Sequence, residues 1–425
     1  MAEFQWTIDV ANPSPYSRSD YVESDLEAIG VDASLDVNSL QLFQKQGNNL
    51  IRIPFQVDYM LGKASHKRSL SFFCEDIPSQ KDDYSQVSAT YLLGKGVSNE
   101  PMTVMCNKSL HVDYYYDPID PSSGDHQKDG FNDKWDPERT VYGVKLRNSE
   151  LEIYVSLVHS PLLHTDLDYT GSVTSVLLRK APHNTIGNPD NMLSPQEWCA
   201  NKRWGQITKL VFYPPPWEIK WYFERSLLNT EYTLVYSNAG PIRAMVILRS
   251  QPFTLSFSGK PLFDQDKVEI SCNLFRTISL YPDKPFYNEE LFVLSAAGQP
   301  LSFRPYFLSK LQFPSSVFSN FARMEHIPDY FALWKNFHPK IYHGYGFASN
   351  SHVRNLELND AYIQWRLQLN FFHKAVHYFM FNDIFDFDEK KDFFHVIGHF
   401  GWYEQIYKPL EVLPVRHFHH AKRYT

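Results

Sequence analysis

The chain has 425 residues, a formal net charge of −7, 16% aromatic residues and 21% charged residues. That length buries a substantial core and leaves room for two domains. The acidic balance gives no basic footprint for a nucleic acid, and no apolar run approaches the length of a membrane-spanning helix.

Cys74, Cys106, Cys199 and Cys272 are widely scattered, with no Cys-x-x-Cys pair. Such spacing fits reduced thiols better than a disulfide scaffold. The opening Met-Ala-Glu-Phe-Gln-Trp lacks a basic region followed by an apolar stretch, so a cytoplasmic location is expected. The basic cluster His66-Lys67-Arg68 reads as solvated surface.

In chain order, residues 7–10 form a short strand, and Asn12-Pro13-Ser14-Pro15-Tyr16-Ser17-Arg18 a turn-rich segment. Residues 21–26 alternate again. Residues 49–58 are a strand-pair candidate carrying Leu50, Ile51, Ile53, Phe55 and Val57, and strands at 69–74 and 87–93 follow. Short strands recurring between Gly, Pro, Asn and Asp argue for a sandwich. Residues 117–139 are polar and dense in breakers, and read as a long loop. They mark a boundary between an N-terminal β-sandwich portion, 1–116, and a central region, 140–425.

Beyond that boundary, strands resume at 143–146 and 151–158. A second long loop spans 181–203, with a short helix candidate at 195–201. Residues 217–249 read as three consecutive antiparallel strands. In the first, Trp217, Ile219, Trp221 and Phe223 alternate with Glu218, Lys220, Tyr222 and Glu224. The second covers 231–236, and Ser237-Asn238-Ala239-Gly240-Pro241 turns the chain into the third, 243–249. Strands at 254–258, 267–279 and 290–295 follow, then an irregular zone at 311–345 rich in Phe, His and Pro, then a clear strand in 359–370. The predicted class is all-β: a large antiparallel β-sandwich of the super-sandwich type, with a smaller N-terminal β-sandwich portion.

Two stretches carry a resemblance. Val10-Ala11-Asn12-Pro13-Ser14-Pro15-Tyr16-Ser17-Arg18 followed by Val22-Glu23 resembles the opening strand of β-sandwich domains in carbohydrate-active enzymes. Ser237-Asn238-Ala239-Gly240-Pro241-Ile242-Arg243-Ala244 resembles the Gly-Pro-hydrophobic-Arg-Ala strand entry of galactose-mutarotase-like super-sandwiches. Polysaccharide lyases, glucuronyl hydrolases and α-mannosidase C-terminal domains share that architecture. Both motifs consist of turn chemistry and strand pairing, so the resemblance implies a fold and carries over no catalytic set.

Candidate chemistry concentrates in the His-rich zone around His326, His338, His343 and His352. Abstracting a proton beside a uronate carboxylate needs a base, an acid for the leaving oxygen and a cation for the carboxylate. His338 or His343 supplies the base, Tyr345 the acid, and Arg304 or Arg354 the cation. Gly344 and Gly346 let a backbone approach a ligand closely. Trp217 and Trp221 offer a stacking floor for a ring.

Other clusters carry less. His373 and His377 have helical metal-pair spacing, but on a strand they stand roughly 13 Å apart and cannot share an ion. Asp383, Asp386, Asp388 and Glu389 read as a solvated turn. Asp166 and Asp168 beside His164 and Tyr169 read as loop carboxylates, and His417, His419 and His420 as an ordinary tail. With no phosphate loop, dinucleotide fingerprint or nucleophile elbow, neither a cofactor nor a metal is expected. The expected partner is a sugar or small molecule, with no nucleic acid and no membrane; oligomeric state is not legible. The leading expectation is a carbohydrate-active enzyme acting on an acidic or modified sugar by lyase-type proton abstraction or hydrolysis. The alternatives are an intracellular cyclase or isomerase of a hydrophobic small molecule, or a non-catalytic binding protein.

Overall fold

A computed structural model describes residues 3–10, 18–61, 66–78, 89–96, 110–116, 132–158, 170–171, 173–178, 206–213, 223–226, 230–257, 268–282, 286–295, 304–312, 320–324, 329–338, 341–349, 353–359, 362–368, 374–385 and 419–423. These residues are almost wholly strand, with one short 3-10 turn at Val37–Ser39. The chain divides into two compact units. The first is Met1–Lys108 with Gly240–Arg243 and Glu404–Thr425; the second is Ser109–Ala239 with Ala244–Tyr403.

The first unit holds β1 (Glu3–Val10), β2 (Arg18–Asp25), β3 (Leu40–Gln46), β4 (Asn49–Ile53), β5 (Phe55–Leu61), β6 (His66–Ile77) and β7 (Ala89–Lys95). The second holds β8 (His111–Tyr116), β9 (Val141–Arg147), β10 (Leu151–Ser156), β11 (Val173–Leu178), β12 (Gln206–Tyr213), β13 (Phe223–Ser226), β14 (Tyr232–Ala239), β15 (Ala244–Ser250) and β16 (Phe253–Phe257). It continues with β17 (Val268–Leu280), β18 (Phe286–Ser295), β19 (Arg304–Gln312), β20 (Asn320–Met324), β21 (Asp329–His338), β22 (Ile341–Ser349), β23 (Val353–Asn359), β24 (Tyr362–Gln368) and β25 (Lys374–Phe385). The last strand, β26 (His419–Arg423), belongs to the first unit. The architecture is an all-β, antiparallel sandwich.

In the first unit, one sheet runs β26-β1-β7-β3-β4 and the other β2-β6-β5. Trp6, Ile8 and Val10 are buried while Thr7 and Asp9 are half-buried, the alternation of a strand with one face on a core. They pack in one cluster with Val22, Leu42, Leu70, Phe72, Tyr91 and Leu93, drawn from both sheets. The rings of Phe72 and Tyr91 lie 4.7 Å apart, and each such buried side chain contributes about 1.5–3 kcal/mol. The 49–58 region is two strands in different sheets. Pro54 separates them because it has no N–H to give a ladder.

Two expectations change here. His419 and His420 are not in a free tail: β26 pairs antiparallel with β1, with His420 opposite Asp9. Arg68 is not solvated surface but 4% exposed. Its Nε donates to Glu27 at 2.8 Å, and its terminal nitrogens donate to the carbonyls of Leu35 and Asp32, both at 2.7 Å. One guanidinium therefore supplies the donors that the turn after β2 lacks within itself.

The second unit has a four-stranded sheet, β11-β10-β9-β8, and a five-stranded sheet, β13-β12-β19-β24-β23. Its largest sheet runs β14-β15-β17-β18-β25-β22-β21-β20, with β16 also on β17. Ala244 to Leu248 are all buried, so β15 has both faces covered.

The 217–249 stretch is not three consecutive paired strands. Residues 217–222, including Trp217 and Trp221, lie outside the described residues. β13 pairs with β12 in the five-stranded sheet, whereas β14 and β15 form a hairpin in the largest one. An alternating pattern specifies a strand but leaves its partner open. The 311–345 zone is likewise not irregular. It contains β20, β21 and β22, whereas Pro314, Pro328 and Pro339 lie outside the described residues.

Candidate functional site

The expected catalytic residues fall on one hairpin. His338 ends β21, and His343 and Tyr345 lie on β22. Being two residues apart, His343 and Tyr345 share a face of the sheet. His338 is brought to that face by a register shift: Asn336 is opposite Tyr342, but His338 is opposite Ile341. The extra residue at 337 is a β-bulge, which inverts the alternation beyond it. Without the bulge, His338 and His343 belong to opposite faces.

Neighbouring strands extend this face. His343 lies between Lys335 on β21 and Asp383 on β25. Tyr345 lies between Leu333 and Phe381, and Phe347 between Phe331 and Phe379. Phe321 of β20 is opposite Leu333. The face therefore has a row of charged and titratable residues bordering aromatic rows. Gly344 and Gly346 alternate with His343 and Tyr345 and lie on the opposite face, so the glycines and the acid–base candidates do not serve one ligand together. Arg304 and Arg354 are on another sheet, with Arg304 opposite Tyr213 and Arg354 opposite Arg366.

The same face continues onto the buried strands. Glu289 of β18 is opposite Ile278 on one side and His377 on the other. His377 is an even number of residues from Asp383 along β25, which confirms the shared face. It stands on a strand, as expected, whereas His373 lies outside the described residues.

Arg276 and Glu289 form an ion pair with both side chains 1% exposed. Burial raises the Glu289 carboxyl, and the Arg276 charge opposes it. Burial also works to lower the Arg276 guanidinium, but Glu289 and Tyr232 overcome it and leave it raised. The Tyr232 ring lies 6.0 Å from the Arg276 guanidinium carbon, and burial pushes its hydroxyl up to about 12. This pair is closed to solvent and acts as an internal strut.

In the first unit, a second buried network went unseen in the sequence. Glu23, Gln56 and Asp58 lie on the β2-β6-β5 face turned away from the apolar core, since Glu23 and Gln56 are both opposite Ser71. Alternation alone makes that face solvated. All three are nonetheless buried, as is Arg243. Arg243 Nε donates to Asp58 at 2.7 Å, and its Nη1 bonds Glu23. Gln56 Oε1 accepts the Ile242 and Arg243 N–H groups at 3.1 and 3.0 Å, and its Nε2 donates to the Arg243 carbonyl and both Asp58 oxygens. A Cβ on Gly240 meets Gln56 at 2.2 Å, which accounts for glycine there. The arginine of the Gly-Pro-hydrophobic-Arg-Ala turn is thus a buried structural ion. Gln56 and Asp58 at alternate positions of β5 were the local signal, but the cation lies about 185 residues further along the chain.

No family model matches the sequence. No curated protein matches it. Three similarities to solved structures are weak. An α-mannosidase from Enterococcus faecalis V583 aligns with a TM-score of 0.43 and 9% identity, over 99% of this chain and 46% of that one. A protein of glycosyl hydrolase family 38 from Enterococcus faecalis gives 0.42 and 8%, over 99% and 47%. A 4-alpha-glucanotransferase from Thermococcus litoralis gives 0.29 and 9%, over 59% and 38%. The chain spans less than half the length of each. Likeness at this level assigns neither family nor activity.

Other expected positions lie outside the described residues: His164, Asp166, Asp168 and Tyr169, the helix candidate at 195–201, and Asp386, Asp388 and Glu389. Among the described residues, no group of three His, Cys, Asp or Glu gathers as metal ligands, and no helix is long and apolar enough to cross a membrane.

Proposed function

We propose that the chain is a carbohydrate-active enzyme working on an acidic or modified sugar, with lyase-type proton abstraction as its chemistry. The observation that carries this reading is the shared face of His338, His343 and Tyr345, bordered by rows containing Phe331, Phe347, Phe379 and Phe381. Aromatic surface beside a few polar groups suits a sugar ring with one reacting edge. In this reading His343 takes the proton beside the carboxylate, with His338 as the alternative base. Tyr345 protonates the leaving oxygen. The carboxylate is neutralised by a cation of the same sheet and not by Arg304 or Arg354, which stand on another, and Trp217 and Trp221 stack on a neighbouring ring. Elimination leaves a double bond conjugated to the carboxylate. Cys74 and Cys272 are buried thiols outside any disulfide, which fits a reducing compartment such as the cytoplasm.

The test is a panel of uronate-containing oligosaccharides, followed by ultraviolet absorbance of the unsaturated product. His343→Gln and Tyr345→Phe should each lower kcat by about 10²-fold or more, the usual weight of a general acid or base. Unchanged turnover in both variants removes this face from the chemistry. No turnover by the unaltered protein on any member, in elimination or hydrolysis, defeats the enzyme reading.

A further inference from the structure

The register brings together two residues that the sequence never associated with His343. Lys335 is opposite His343 on β21, and Asp383 is opposite it on β25. Lys335 and Asp383 are 48 positions apart in sequence. Asp383 lies within β25 and not in a solvated turn. Residues directly opposite on paired antiparallel strands have Cβ atoms about 4.5–5.5 Å apart. A carboxylate, an imidazole and an ammonium therefore occupy successive positions of one cross-strand row.

We propose that Asp383 and Lys335 are working parts of the His343 site: Asp383 is a positioning residue that makes the imidazole more basic, and Lys335 binds the substrate carboxylate. This rests on the reading of His343 as base. A carboxylate beside an imidazole favours its charged form, while an ammonium on the other side opposes it. The charged or titratable residues near His343 on this face of β21, β22 and β25 are His338, Lys335, Tyr345 and Asp383. Asp383, directly opposite His343 on β25, supplies a nearby negative charge that favours the protonated imidazole. Lys335 supplies a positive charge for an acidic sugar on the same sheet, whereas Arg304 and Arg354 stand on a different one. The substrate class follows: a sugar whose carboxylate lies within a strand spacing of the carbon that loses its proton.

The experiment titrates the His343 ring by NMR in the full chain, with the resonance assigned by its loss in His343→Gln. Asp383→Asn should lower the His343 pKa by about one unit or more, a tenfold loss of proton affinity, and Asp383→Glu should restore it. Lys335→Met should move it the opposite way. In turnover, Lys335→Met should raise KM for an acidic sugar far more than it lowers kcat, with Lys335→Arg recovering much of the loss. If neither Asp383→Asn nor Lys335→Met moves the His343 titration in a folded protein, the proposal is overturned even where His343→Gln abolishes turnover. If one variant fails to fold, the other decides by its opposite sign. Shifts as expected with no turnover on any sugar keep the charge row and defeat the carbohydrate reading alone.

Discussion

Replacing Arg243 by Met removes its guanidinium from a buried polar network while keeping most of the side-chain volume. Arg243 is 3% exposed and Asp58 0%, and the Glu23 side chain is 9% exposed. The Gln56 bonds to residues 242 and 243 use the backbone and survive the change. The loss therefore isolates the guanidinium. Removing one partner from a buried pair costs about 3–5 kcal/mol, because the remaining charge is left without compensation. Asp58 keeps two 3.0 Å bonds from Gln56, whereas Glu23 loses its guanidinium partner. That places the expected cost toward the lower end, about 3 kcal/mol, or about a hundredfold in the folding equilibrium of the first unit. Hydrogen exchange read on peptides from β1 and β6 reports that unit specifically. The triple variant Glu23→Gln, Asp58→Asn, Arg243→Met should recover at least half of the loss, since it removes the uncompensated charges as well. A loss below about 1 kcal/mol for Arg243→Met, or a triple variant worse than the single one, refutes this account of the network.

Three further outcomes follow from the second unit and the thiols. Gly171 has φ +72, and a Cβ there meets the Tyr232 ring at 1.9 Å. Gly171→Ala should therefore cost about 2 kcal/mol or more by urea denaturation, from left-handed strain and overpacking, and a neutral result contradicts the packing described. Burial raises Tyr232 from 10.0 to about 12 and Cys272 from 9.0 to about 12. The fold favours their neutral forms, so the stability they contribute is intact below their ordinary values and is lost as pH rises toward about 12. Alkaline unfolding followed by circular dichroism should be shallower for Tyr232→Phe, and an unchanged profile counts against this. Cys74 and Cys272 are buried thiols and should react with a thiol reagent only after denaturation; rapid native labelling of either shows that the core opens.

Strand existence was legible in Thr7 to Val10, where one covered face imposes the alternation of apolar and polar residues, and β24 shows the same alternation. Pairing was not. Residues 217–249 read as a meander because nothing local shows that β13 finds β12 while β14 finds β15. The aromatic zone at 311–345 lost its alternation because apolar residues occupy both faces of β21, and its prolines then dominated the reading. The buried face of β2-β6-β5 was invisible for a related reason: Glu23 and Asp58 look solvated until the distant Arg243 is placed against them. At the candidate site, the register decides which of the expected residues share a face. His343 and Tyr345 share a face by simple counting, but His338 joins them only through the bulge at 337. Lys335 and Asp383 join only through two ladders whose registers no local pattern specifies.

Solvent-deuterium exchange reads proton abstraction at the β22 face whether or not elimination follows. Uronate-containing oligosaccharides incubated with the protein in deuterated water would be followed by mass spectrometry at the carbon beside the carboxylate. Deuterium incorporation or elimination at that carbon is expected with the unaltered chain, and neither with His343→Gln. Equal exchange with and without His343, or none with any acidic sugar, contradicts it.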